Sequence, residues 1–149
     1  MRSKLIKMFQ NSQFKRSIHS RLFVILDSDH SASHVFKELE LFAEFLQSGD
    51  YLIVEDGIIN GHPVEQEWGL GPFEAILKFE NIYGLNKYFI HDIDREKKFG
   101  ITQSPNGFLI RTKEPWSVGG DGNTASGKGS NTGTNDVGVA TMINIGNEL

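Results

Sequence analysis

The chain has 149 residues and a formal net charge of −4, which argues against nucleic-acid binding driven by overall positive charge. It contains no cysteine, so disulfides, thiolate nucleophiles and cysteine-ligated zinc are excluded. No apolar run approaches the roughly 18 residues of a membrane span, and the length suits one ordinary domain. A reducing compartment, the cytoplasm, is the expectation.

Residues 1–21 are basic: Arg2, Lys4, Lys7, Lys15, Arg16 and Arg21 all precede the first acid, Asp27. Such a composition suits a mitochondrial transit peptide, a solvated helix or linker, or a break in a longer reading frame. The segment is set apart as a leader or linker.

Leu22-Phe23-Val24-Ile25-Leu26 is continuously apolar, as in a strand buried on both faces of a parallel sheet. It empties into Asp27-Ser28-Asp29-His30-Ser31. Ser31 or Ser33 offers a helix N-cap. Val35, Leu39, Phe42 and Leu46 then recur at helical spacing, with Phe36, Ala43 and Phe45 widening the stripe. Lys37, Glu38, Glu40 and Glu44 are assigned mostly to the opposite side. Gly49 is expected at the C′ position. Tyr51-Leu52-Ile53-Val54 is the next strand and empties into Glu55-Asp56. Together these form a β-α-β unit, which implies parallel strands and a right-handed crossover.

A turn-rich loop follows over residues 57–64, and Pro72 suits the first position of a helix over about Phe73 to Phe79. Phe73, Ile76 and Leu77 are its expected buried side. Tyr88–Ile93 is strand-like. Phe99–Gln103 and Phe108–Arg111 read as an antiparallel hairpin around Ser104-Pro105-Asn106-Gly107.

From Ser117 onward the chain holds eight of its sixteen glycines and has only a short apolar patch, Val137–Ile145. Residues 113–149 are therefore expected to be a disordered tail. Gly127-Lys128-Gly129-Ser130 lacks the preceding strand and the spacing of a phosphate loop. The folded part is thus residues 22–112. Its first strand looks central, yet no earlier strand flanks it. A minimal open sheet, a partner chain or second copy covering the edge, or a missing N-terminal half would each explain this, and the missing half is preferred.

Ligands of open α/β sheets bind at the C-terminal ends of the strands. Two such ends here carry Asp27, Asp29, Glu55 and Asp56. Carboxylates packed together repel one another unless a cation compensates, and Mg²⁺ prefers oxygen ligands. Such an ion can hold substrate oxygens and acidify a hydroxyl. His30 is then placed to take the proton. His34, in the first helical turn, is assigned a structural role, and His62 could line the same pocket. The alternative is that the acids cap a helix and build turns.

The stretches Val24–Ser31, Gly49–Asp56, Asn60–Val64, Gly71–Ala75, Asp94–Phe99 and Ser104–Leu109 together resemble the cephalosporin hydroxylase / rhamnosyl O-methyltransferase family. The likeness covers about Phe23 to Arg111. It implies a catechol-O-methyltransferase-like, Rossmann-like α/β fold, a three-layer αβα sheet of which only the C-terminal half is present, ending in the hairpin. It also implies S-adenosylmethionine as methyl donor and Mg²⁺ on Asp27 or Asp29 with Glu55 and Asp56. His30 would be the catalytic base, and Asp27, Ser28 and His30 would be the cofactor-contacting residues. The acceptor would be a small-molecule hydroxyl on a sugar or secondary metabolite. No oxidative iron-binding set of two histidines and a carboxylate is evident. The family's glycine-rich first βα turn and the acid ending its second strand do not occur before Leu22, so the donor site is expected to be incomplete.

Two other readings compete. An apolar strand followed by Asp-x-Asp also resembles aspartyl phosphatases of the haloacid dehalogenase type, with Asp27 as nucleophile and Asp29 as acid/base. That pattern wants threonine or valine where His30-Ser31 stand, and a helical lysine that cannot be placed. A non-catalytic remnant or binding module is the other.

Overall fold

The computed structural model describes residues 20–116 and, for backbone alone, 140–144. The elements are β1 (Arg21–Leu26), α1 (Ala32–Phe45), β2 (Tyr51–Val54), α2 (Pro72–Tyr83), α3 (Leu85–Tyr88), β3 (Phe89–His91), α4 (Ile93–Lys97), β4 (Phe108–Arg111) and β5 (Ala140–Asn144). They build one mixed sheet in the order β3-β4-β2-β1-β5.

The expected β-α-β unit is present. β1 and β2 run parallel, with Val24 opposite Leu52 and Leu26 opposite Val54. Glu55 N–H continues the ladder to Leu26 O at 3.0 Å, so the two acidic strand ends emerge side by side. Asp50, fully buried, fixes the entry to β2: its carboxylate accepts from Leu22 N–H and Gln47 N–H.

One face of the sheet carries the core. Leu22, Val24, Leu26, Leu52, Val54, Phe89 and Leu109 pack there against Val35, Leu39, Phe42 and Ala43 of α1 and Ala75, Ile76 and Phe79 of α2. Truncating a fully buried ring such as Phe42 to alanine would cost about 3–5 kcal/mol. Aromatic rings seal the far side: Trp116 stacks on Phe79, with centroids 5.7 Å apart, and Phe36 packs between Phe79 and Tyr83.

Several expectations need correction. α1 ends at Phe45 with Leu46 as its C-cap, so Gly49, at φ 85°, serves the turn into β2 rather than the C′ position. Glu38 lies on the buried side of α1, 2 % exposed, because it falls within the stripe formed by Val35, Leu39 and Phe42. α2 does begin at Pro72 but runs on to Tyr83, and Leu77 faces solvent while Ala75 and Phe79 are buried. The hairpin is replaced by a different pairing. Phe99 and Ile101 are 83 % and 92 % exposed and belong to no strand. β4 instead pairs antiparallel with both β2 and β3.

The turn at 104–107 is present, closed by Gly107 N–H to Ser104 O at 2.9 Å. Residues 140–144, assigned to a disordered tail, form β5, parallel to β1. Residues 1–19, 117–139 and 145–149 lie outside the described residues, while Arg21, assigned to the leader, opens β1 and Trp116, assigned to the tail, packs against the core. Among those described, α1 and α2 cover one face of the sheet, so the architecture is mixed α/β and a three-layer arrangement is not established.

Candidate metal and acid-base site

The site is set by where β1 and β2 stop. Asp27 follows β1 directly. Asp56 follows Glu55 and adopts φ 52°, in the left-handed region that aspartate tolerates better than most residues. The chain turns there, and Asp56 comes to face the loop after β1. His30 Nε2 lies 3.2 Å from Asp56 Oδ2 and 3.4 Å from Asp27 Oδ1. Ligand atoms of Asp27, His30 and Asp56 all fall within 4.8 Å of one another.

His30 Nε2 is buried and makes no hydrogen bond, despite two carboxylates beside it. A buried polar atom without a hydrogen bond is costly unless something else engages it. A nitrogen and two carboxylate oxygens at this separation form a set that could hold a divalent cation. Mg²⁺ typically takes one or two carboxylates and keeps several waters. Asp27 and Asp56 satisfy that pattern and leave His30 as a base beside it.

The other sequence-derived ligands turn elsewhere. Asp29 Oδ1 accepts from Ser31 N–H at 2.8 Å, and this backbone hydrogen bond holds its carboxyl below the usual carboxylate range. Asp29 thereby shapes the loop before α1, while the Ser31 hydroxyl makes no cap. Glu55 accepts from the buried Ser104 hydroxyl at 3.2 Å. Partial burial pushes the Glu55 carboxyl up, repulsion from Asp27 and Asp56 adds to this, and Ser104 opposes it. Glu55 thus feels the cluster without joining it. Ser28 turns inward, its hydroxyl donating to Glu38 Oε1 at 2.9 Å.

His62 does not reach the cluster. Its Nε2 pairs with Glu74 Oε1 at 2.7 Å, and its ring packs on Phe73. His34 lies 3.4 Å from Glu38 Oε1, consistent with a structural role. Sequence reading passed over Glu38, Ser104 and Glu74. A glutamate inside an apolar stripe was the available signal for Glu38. Glu74 also accepts from Gly71 N–H and the Asn60 side chain. Despite partial burial, these hydrogen bonds and that from His62 hold its carboxyl low. Glu74 therefore pins both ends of the 60–71 loop. That loop returns to the site, with Ala32 N–H bonded to Leu70 O at 2.9 Å.

The chain matches the sequence profile of the family described as Rhamnosyl O-methyltransferase/CmcI over residues 3–112. This chain belongs to that family. Rhamnosyl O-methyltransferases of Mycobacterium tuberculosis and Mycobacterium bovis are each 51% identical to it over 102 residues, covering 68% of this chain and 41% of theirs. The Rhamnosyl O-methyltransferase of Mycobacterium leprae is 47% identical over 102 residues, covering 68% of this chain and 44% of its own. The chain therefore spans about two fifths of the length of these relatives. No solved structure matches it. Membership places the chain in an O-methyltransferase family. Among the described residues no helix is long and apolar enough to cross a membrane.

Proposed function

We propose that this chain carries the metal and acid-base half of a metal-dependent, S-adenosylmethionine-using O-methyltransferase with a Rossmann-like sheet. The convergence of Asp27, His30 and Asp56 carries this reading. Asp27 and Asp56 would hold a divalent ion, with Mg²⁺ the best fit to two carboxylates open to water. When bound, the ion would polarise an acceptor hydroxyl and S-adenosylmethionine would supply the methyl group.

His30 Nε2 has no hydrogen bond of its own and stands between the two carboxylates. It can receive the acceptor's proton there, and the carboxylates on either side stabilise the resulting imidazolium. Glu55, whose carboxylate accepts from Ser104, would add negative potential near the ion. The acceptor is read as a sugar or secondary-metabolite hydroxyl and the setting as the cytoplasm. The relatives' names supply the sugar.

Calorimetric titration of the purified chain with Mg²⁺ tests the site. Saturable binding that is lost in both Asp27→Asn and Asp56→Asn supports it. Binding unchanged in both variants would sink it. The His30→Gln chain, joined in trans to whatever completes the enzyme, should retain Mg²⁺ and lose methyl transfer. Loss of Mg²⁺ binding in that variant would instead make His30 a ligand.

A further inference from the structure

The buried side of α1 holds a carboxylate where an apolar side chain would suit the core. Glu38 falls in the stripe of Val35, Leu39 and Phe42 and is buried with them. Its Oε2 is buried without a hydrogen bond, and so is Nε2 of His34, one turn earlier on the helix. Burial pushes the Glu38 carboxyl up, although Ser28 and His34 both oppose the shift. Buried charge is expensive, and an apolar residue of similar volume in its place is often neutral or stabilising. Stability therefore gives no reason for a glutamate at this position.

The other oxygen supplies one. Glu38 Oε1 accepts from the Ser28 hydroxyl at 2.9 Å and stands 3.4 Å from His34 Nε2. Ser28 lies in the loop that leaves β1, between Asp27 and His30. The neighbouring side chains of that loop are engaged elsewhere. Asp29 accepts from Ser31 N–H within the loop, and Asp27 and His30 lie against each other, with Asp56 Oδ2 3.2 Å from His30 Nε2. The Ser28–Glu38 hydrogen bond thus ties the middle of the loop to a rigid helix. Ser28 is joined directly to Asp27 and is two residues from His30. Holding its side chain inward restricts the directions in which those two leave the backbone. Groups that bind a metal or move a proton need this kind of support from the residues behind them.

We propose that Glu38, braced by His34, is a positioning residue that anchors the Ser28 loop so that Asp27 and His30 converge on Asp56. It touches neither the ion nor the acceptor. The role presupposes the Asp27–His30–Asp56 site, but the anchoring itself needs no ion. The hydrogen bond matters here rather than the charge: glutamine can reach the same hydroxyl, whereas leucine fills the same space and cannot.

Two measurements on the full chain test this. Amide exchange of the metal-free protein reads the loop at Ser31 and Ala32, whose N–H groups donate to Asp29 and Leu70. Calorimetry with Mg²⁺ reads the site. Ser28→Ala and Glu38→Leu should each speed exchange at these two amides about fivefold and weaken Mg²⁺ binding about tenfold. The urea midpoint of Glu38→Leu should nevertheless stay at or above that of the wild-type chain. A residue that only stabilised the fold would lose midpoint and affinity together. The double variant should be no worse than either single one, since both remove the same bond. Glu38→Gln should keep loop exchange and Mg²⁺ affinity close to wild type. Loop exchange unchanged in both Ser28→Ala and Glu38→Leu would overturn the proposal. So would faster exchange with unchanged Mg²⁺ affinity, or a loss in Glu38→Gln equal to that in Glu38→Leu, which would make charge the cause. A wild-type chain that binds no Mg²⁺ would remove the metal reading, and loop exchange alone would then decide the anchoring.

Discussion

The Ser28 hydroxyl donates to Glu38 Oε1 at 2.9 Å, tying the acidic loop after β1 to the buried side of α1. The other carboxylate oxygen of Glu38 and the neighbouring His34 Nε2 are both buried without a hydrogen bond. Burial pushes the Glu38 carboxyl up, and the Ser28 hydrogen bond only partly offsets this. The fold therefore favours the protonated form of Glu38 more than the unfolded chain does.

Glu38→Gln should for this reason stabilise the chain. The amide oxygen keeps the Ser28 hydrogen bond, and the amide nitrogen can donate to His34 Nε2. Because burial raises the folded pKa of Glu38, its favourable contribution is fully present below the ordinary carboxylate value and is lost as pH rises through the folded value. The variant should gain about 1 kcal/mol at pH 7 and little at pH 4. Urea unfolding at the two pH values checks this. Equal effects at both would refute the buried-carboxylate account.

The ligand set gives a second prediction, graded by geometry. Asp27→Asn and Asp56→Asn should each weaken Mg²⁺ binding at least tenfold, about 1.4 kcal/mol. Asp29→Asn should change it by no more than about twofold, which is under about 0.5 kcal/mol, because that carboxylate is committed to Ser31 N–H. Glu55→Gln should have an intermediate effect, since Glu55 acts through its charge at a distance. Calorimetry on the four variants reads the order directly. An Asp29 effect as large as that of Asp27 would mean that the loop rearranges around the ion.

The parts of this molecule legible in its sequence are those fixed by periodicity and by local turn chemistry. Unbroken apolar runs at Leu22–Leu26 and Tyr51–Val54 announce β1 and β2, and the stripe from Val35 to Leu46 announces α1. Pro72 marks the start of α2. What stayed hidden depends on long-range pairing. Phe99 and Ile101 carry the composition of a strand but do not pair with β4, because β3 has taken that edge of β4. Composition alone made residues 140–144 look like tail, yet β1 leaves an edge open and that short apolar patch fills it. At the site, sequence gathered four carboxylates at two strand ends. It could not show which of them turn toward His30. The φ of Asp56, the Ser31 N–H that holds Asp29 and the Ser104 hydroxyl that holds Glu55 decide that.

Gly107 supplies a third prediction. A Cβ placed there would fall well inside contact distance of Val54 O, and the Ser104 backbone crowds it from the other side. Val54 N–H donates to Gly107 O at 3.0 Å, so this close approach is what joins the turn to the end of β2, two residues before Asp56. Gly107→Ala should cost about 2–3 kcal/mol through overpacking and the displaced hydrogen bond. It should also loosen the Ser104–Glu55 contact. Thermal unfolding checks the first effect, and amide exchange of Glu55 and Asp56 checks the second. A stable variant with unchanged exchange would show that the turn can shift at no cost.

Arg111 supplies the last. It is 4 % exposed at the end of β4, and no carboxylate hydrogen-bonds to it among the described contacts. Its guanidinium instead donates to main-chain oxygens: Nε to Ala43 O at 3.0 Å, and Nη1 to Tyr88 O at 3.2 Å and Glu114 O at 2.8 Å. It also lies over the rings of Tyr88 and Phe89, 5.5 Å and 5.8 Å from their centroids. Burial pushes its pKa down, and the nearby Tyr88, Asp50 and Glu114 act against that shift. One planar cation thus joins the end of α1, the end of α3 and the chain beyond β4. Lysine places three donors on a single point and cannot span those oxygens. Arg111→Lys should therefore cost about 2–3 kcal/mol by leaving buried carbonyls unpaired. Arg111→Met keeps the apolar stem and removes every donor, so it should cost at least as much. The two variants are compared by urea unfolding with the wild-type chain. If Arg111→Met proved the more stable of the two, the role of Arg111 would be packing against Tyr88 and Phe89 rather than satisfaction of the main chain.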